Sequence, residues 1–147
     1  MFKHILIPTD GSPVSAKAVK AGLEFARQSG AKVTGFYALE AVPAHLYGEG
    51  YVTDRRLAAE FEKRHRANAK KHVAVLEREA LKAGVPFAAV VENARTPYEG
   101  IVKAAEKHDC DLVLMASNGR RGLARFTLGS VTDKVIQLSK VPVLVYR

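Results

Sequence analysis

The chain of 147 residues carries a single cysteine, two methionines, no tryptophan, and only five tyrosines and six phenylalanines. Cys110 alone cannot close an internal disulfide, and no Cys/His cluster has the spacing of a zinc site. No apolar stretch approaches eighteen residues, so no membrane-spanning helix is expected and no membrane partner is inferred. The chain runs straight into a short strand-like segment without a secretory leader, which makes a cytoplasmic location the expectation. The net charge is +8, but the excess is dispersed, with nine Lys/Arg against five Asp/Glu between Asp54 and Lys82. Aromatic residues are not interleaved with these charges as they are where bases stack, so no nucleic-acid partner is expected. A solvated basic surface and an anionic small ligand account for the surplus better. The chain also lacks G-x-x-x-x-G-K-[ST], G-x-G-x-x-G and G-x-S-x-G, which removes the commonest phosphate loops and the hydrolase nucleophile elbow.

What is present reads as one domain over residues 1–147, large enough to bury a core without disulfides or metals. His4-Ile5-Leu6-Ile7-Pro8 fits a strand buried on both faces. Ser12 and Pro13 then supply an N-cap and a first helical residue, and Ser29-Gly30 stops that helix. Val33 to Leu39 reads as the second strand, with Gly35 marking close packing. Glu40 to Thr53 has no periodicity and is expected to be a loop. A long helix follows from about Asp54 to Ala83, its inner stripe being Leu57, Phe61, Ala69, Val73, Leu76 and Ala80. His65 and His72 fall at the border of that stripe, too far apart to hold one metal. Phe87 to Val91 is the third strand. Thr96-Pro97-Tyr98-Glu99 is a capping box opening the third helix, which His108 closes through the helix dipole. Cys110 is expected to pack. Asp111 to Met115 is the fourth strand, and a helix from about Ser130 to Leu138 leads to a last strand, Val141 to Val145. Five strands and four helices in strict alternation predict a doubly wound parallel sheet covered on both faces.

The stretch from Met115 to Asp133 carries the strongest chemistry. A strand end, a loop bearing Gly119, Gly122 and Gly129, and a helix start at Ser130 with Asp133 in the capping-box position read as an anion site or, on local sequence alone, equally as a glycine-rich connection with its arginines facing water. Arg120, Arg121 and Arg125 add positive charge. The other unusual connection is Pro8 to Ser12. Ligands of open α/β sheets sit beyond the carboxyl ends of strands where the winding reverses; if strands one and four are neighbours, both loops share one crevice. There Asp10 suits a ribose hydroxyl or, equally, a helix cap. Ala38, Leu39 and Met115 suit a flat base, and amides of Gly119, Gly129, Ser130, Val131 and Thr132 suit phosphates. No Mg²⁺ site is derivable, although Asp10, Ser130 and Thr132 offer oxygens.

Together, Ile7-Pro8-Thr9-Asp10-Gly11-Ser12, Asp111-Leu112-Val113-Leu114-Met115, Gly119-Arg120-Arg121-Gly122-Leu123, Leu128-Gly129-Ser130-Val131-Thr132 and Val141-Pro142-Val143-Leu144-Val145 resemble the universal stress protein family. The likeness spans Lys3 to Tyr146. It implies the strand order 3-2-1-4-5 of the adenine nucleotide alpha hydrolase-like fold, bound ATP or AMP, for which Mg²⁺ is a possible companion, and a homodimer through residues 141–146. It also implies a stress-response sensor or regulator, with slow ATP hydrolysis at most. The implied nucleotide site comprises Pro8, Thr9, Asp10, Ala38, Leu39, Met115, Ala116, Asn118, Gly119, Arg120, Gly129, Ser130, Val131 and Thr132. The family motif G-x2-G-x9-G-[ST] is matched from Gly119 onward, but Ala116 stands where its first glycine would be. A methyl group there would crowd the ribose or α-phosphate side, while alanine takes ordinary strand-end backbone angles. Binding is expected to survive, weakened or shifted from ATP towards AMP. The alternative is a dimeric interaction protein whose nucleotide site is vestigial.

Overall fold

The computed structural model of the protein describes residues 1–41, 55–118 and 128–147. Its elements are β1 (His4–Pro8), α1 (Pro13–Ser29), β2 (Lys32–Glu40), α2 (Arg55–Ala83), β3 (Phe87–Ala94), α3 (Pro97–Lys107), β4 (Leu112–Ala116), α4 (Ser130–Leu138) and β5 (Val143–Tyr146). The strands form one parallel sheet in the order β3-β2-β1-β4-β5.

The side-chain alternation of β1 explains why its run is continuously apolar. Ile5 and Ile7 pack with Leu112 and Leu114 under α1 and α2, against Val19, Leu23, Leu76 and Ala80. Leu6, Val113 and Met115 point the other way, into a second core with Ile101, Ala104 and Val135 from α3 and α4. Both faces of β1 and β4 are therefore dry, and every residue of both strands is buried.

Helix boundaries follow the local chemistry. Ser12 caps α1 by accepting the Ser15 N–H at 3.2 Å, Pro13 opens the helix, and Gly30 ends it at φ 69°. Thr96 caps α3, but the Glu99 carboxylate takes the Arg95 guanidinium at 2.6 Å, so only the hydroxyl half of the expected capping box forms. Gly35 does mark close packing: a Cβ there would strike the ring of Phe87. Cys110 packs as expected, and burial pushes its thiol up to about 11.

Two boundary expectations need correction. Leu57 is not part of the inner stripe of α2; it is 57% exposed, and Ala58 is buried in its place. Ala58 lies eleven residues, three full turns, before buried Ala69, whereas Leu57 falls a further 100° around the helix. The last strand begins at Val143 rather than Val141. Pro142 precedes the ladder and contributes only its carbonyl, which accepts the Val113 N–H at 3.0 Å.

At the end of the sheet where β1 and β4 begin, the Asp111 carboxylate accepts the N–H groups of Lys3 at 2.8 Å and His4 at 3.0 Å. Burial raises its pKa, but these two hydrogen bonds outweigh that and leave it below the ordinary aspartate value. A depressed carboxyl contributes stability that is complete above its unfolded pKa, about 3.9, and is lost as pH falls through the lower folded value. Asp111→Asn is therefore expected to cost about 1–2 kcal/mol at pH 7. The gap to the parent should close as pH falls below 4, in urea unfolding followed by circular dichroism.

Candidate functional site

β1 pairs with β4 through Ile5↔Leu112 and Leu6↔Val113, while the chain leaves β1 towards one face and β4 towards the other. The reversal opens a cavity of about 570 Å³ beyond the carboxyl ends of the strands. Its floor comes from Pro8 and Thr9 at the end of β1 and from Met115 and Ala116 at the end of β4.

The loop after β1 is tied down locally. The Thr9 N–H reaches Phe36 O at 2.9 Å, and Thr9 Oγ1 accepts the Gly11 N–H at 3.1 Å. Thr9 and Ser15 share a hydroxyl–hydroxyl hydrogen bond of 3.0 Å. Asp10 lines the cavity, and its Oδ1 also accepts the Ser12 N–H at 2.9 Å. Asp10 therefore holds the turn before the helix, and the cap role offered for it belongs to Ser12. Gly11 closes the turn at φ 76°.

Across the crevice, α4 starts at Ser130 as expected, but Ser130 is not its cap. Gly129 is the N-cap (φ −63°, ψ 150°) and makes no side-chain cap hydrogen bond, and Ser130 is already helical. The Gly129 N–H is held at 2.8 Å by Ser117 O, a long-range contact that fixes the entry angle. Asp133 turns outward and accepts the Gln137 side-chain amide at 2.8 Å. Ser117 is anchored on its other side as well, its N–H reaching Tyr146 O at 2.8 Å. Thr132 Oγ1 donates to Ala116 O at 3.0 Å, bolting the first turn of α4 to the end of β4. Ser130, Val131 and Thr132 line the cavity, and first-turn amides have no acceptor within their own helix. The positive end of the α4 dipole therefore meets the crevice.

Ala116 is buried, and Asp109 is the non-glycine residue found at positive φ among the described residues. Alanine thus occupies ordinary strand-end backbone. Asn118 lines the cavity, whereas Gly119 and Arg120 lie outside the described residues, as do Arg121, Gly122 and Arg125. Ala38 and Met115 supply apolar wall as expected. Leu39 does not: alternation along β2 turns it under α2, where it is buried with Tyr37, Ala69 and Val73.

One rim was missed altogether. Thr96, Pro97, Tyr98 and Ile101 of α3 line the side facing α4, and Glu40 and His65 join from β2 and α2. The signal for the α3 rim was available, since a parallel sheet gathers every strand-to-helix connection at one edge. Among the described residues, no three His, Cys, Asp or Glu side chains are grouped to hold a metal ion. Of the three oxygens suggested for Mg²⁺, the Thr132 hydroxyl has its proton committed to Ala116 O.

A five-stranded parallel sheet wound to both faces, with its crevice at the β1/β4 reversal, defines a doubly wound α/β protein. The chain belongs to the universal stress protein family, whose profile matches residues 1–147. Universal stress protein MJ0531 of Methanocaldococcus jannaschii is 35% identical over 148 residues, covering 100% of this chain and 83% of that protein. YxiE of Bacillus subtilis is 31% identical over 150 residues, with both chains fully covered. Among solved structures, MJ0577 of M. jannaschii superposes with a TM-score of 0.83 at 28% identity, covering 99% of this chain and 95% of that one. A universal stress protein in complex with cAMP gives a TM-score of 0.72 at 22% identity, covering 99% of this chain and 97% of that one. One from Archaeoglobus fulgidus in complex with dAMP gives 0.67 at 19%, covering 100% and 98%. At those identities the last two show the shared fold.

Because Thr132 fixes the α4 N-terminus to β4 from a site 2% exposed, Thr132→Val keeps the shape but strands a buried carbonyl. The expected loss is about 1–2 kcal/mol in urea unfolding, and amide exchange at Ser130 and Val131 should quicken.

Proposed function

We propose that the protein binds an adenine nucleotide in this crevice and acts as a stress-response sensor or regulator in the cytoplasm. The observation that carries this reading is the convergence on one cavity of the Asp10 carboxylate and the first-turn amides of α4. In this reading the phosphate meets the α4 N-terminus, the ribose meets Asp10, and the base lies towards Ala38 and Met115. Relatives determined with cAMP and dAMP are consistent with an adenosine monophosphate as the ligand. A bound ATP would bring its own Mg²⁺, held chiefly by phosphate oxygens. Hydrolysis is at most slow in this reading, because Asp10, the carboxylate of the β1 loop, is assigned to the ribose.

We also propose a homodimer formed through residues 141–146. β5 is the end strand of the sheet, and Leu144 and Tyr146 expose apolar surface on the flank that α1 leaves open. An uncovered apolar edge of this kind calls for a partner strand.

The test is calorimetric titration of nucleotide-stripped protein with AMP and with ATP, each with and without Mg²⁺. Saturable micromolar binding is expected, with AMP favoured. Asp10→Asn, which keeps the acceptor for Ser12, should weaken it about tenfold. Gly129→Val should abolish it, since even a Cβ at Gly129 would lie 3.2 Å from Asn118 Oδ1. Absence of heat at millimolar nucleotide would sink this reading and leave the dimeric interaction protein with a vestigial site.

A further inference from the structure

We infer that His72 is a positioning residue for the crevice: its imidazole, stacked on Tyr37 and seated against Gly11, holds the Asp10 loop in the geometry a ribose requires. This rests on the nucleotide reading above.

The imidazole has one aromatic neighbour and one backbone neighbour. Its ring lies parallel to that of Tyr37, with centroids 5.8 Å apart and an interplanar angle of 3°. At that separation the rings are offset, the preferred arrangement for a stacked pair. Tyr37 is a fixed platform, 5% exposed and packed with Leu39, Ala69 and Val73. The backbone neighbour is Gly11, where a Cβ would lie only 2.7 Å from His72 Nδ1. Gly11 is also at φ 76°, a conformation that favours glycine, and any Cβ there would displace the imidazole.

Gly11 sits between Asp10 and Ser12. Its own N–H is held by Thr9 Oγ1, and Asp10 Oδ1 holds the Ser12 N–H. These bonds lie within the turn itself. His72 adds a contact between the turn and α2. It is half-buried beside Val73 and is not among the residues lining the cavity, so it acts on a ligand only through the loop it braces. Nor is the imidazole needed to seal the core, since Ala69, Val73, Leu76 and Ala80 already bury the inner face of α2.

The test compares His72→Ala with His72→Phe, which retains a planar ring for the stack. AMP affinity is read by calorimetry, stability by urea unfolding, and the loop by the amide resonances of Asp10 to Ser12 in ligand-free protein. His72→Ala should lower AMP affinity about tenfold while His72→Phe recovers it to within about threefold of the parent. The Gly11 and Ser12 amides should shift and broaden in His72→Ala alone, while those of α4 stay unchanged. Unaltered loop resonances in His72→Ala would overturn the inference, and so would affinity equal to that of the parent. Equal losses in both variants would also overturn it. If the parent itself fails to bind AMP, the nucleotide reading falls; the ligand-free resonances still decide separately whether His72 braces the loop.

Discussion

β1 is hydrogen-bonded to β2 on one side and to β4 on the other, and the rest of the molecule depends on that double commitment. The connections from β1 and β4 leave towards opposite faces, so among the described residues no helix or strand crosses the gap between their carboxyl ends. A buried, fully paired strand cannot slip in register without turning its whole apolar set the wrong way. The gap is therefore as rigid as the core beneath it. The Asp111 carboxylate clamps the same two strands at their other end.

The described part of the crevice is lined more by main chain and neutral groups than by charge. The first turn of α4 presents amides and a dipole, and the described part of the site adds Asp10 with Glu40 and His65 at the periphery. Such a site favours an anion with a polarised, directional surface without needing a buried cation. Three of the hydroxyls that line it are engaged within the protein, since Thr9 and Ser15 bond to each other and Thr132 donates to Ala116 O.

Element types and order were legible because the evidence for them is local: caps at Ser12 and Thr96, a stop at Gly30, and apolar runs too short for helices. The strand order came from family likeness and agrees with the sheet. What stayed hidden was phase. In a run such as VTGFYAL every residue is small or apolar, so no alternation tells which of Ala38 and Leu39 faces the crevice; only the helices above and below decide. Leu57 against Ala58 is the same problem on a helix, where the bulkier residue attracts the reading and the smaller one occupies the inner position. Ser130 lost its capping place to Gly129 because of Ser117 O, a contact no window of neighbouring residues contains. The α3 rim needed the topology before its residues could be assigned to anything.

Ser117 joins two parts of the structure through its main chain alone. Its N–H is engaged by the final strand and its carbonyl by the residue that caps α4. Strain arriving at the outer edge of the sheet has a path of one residue to the mouth of the crevice, with no rotatable side chain along it to absorb the displacement. The molecule thus possesses a stiff lever between its margin and its interior opening, and a substitution at position 117 that preserves the backbone would leave that lever intact.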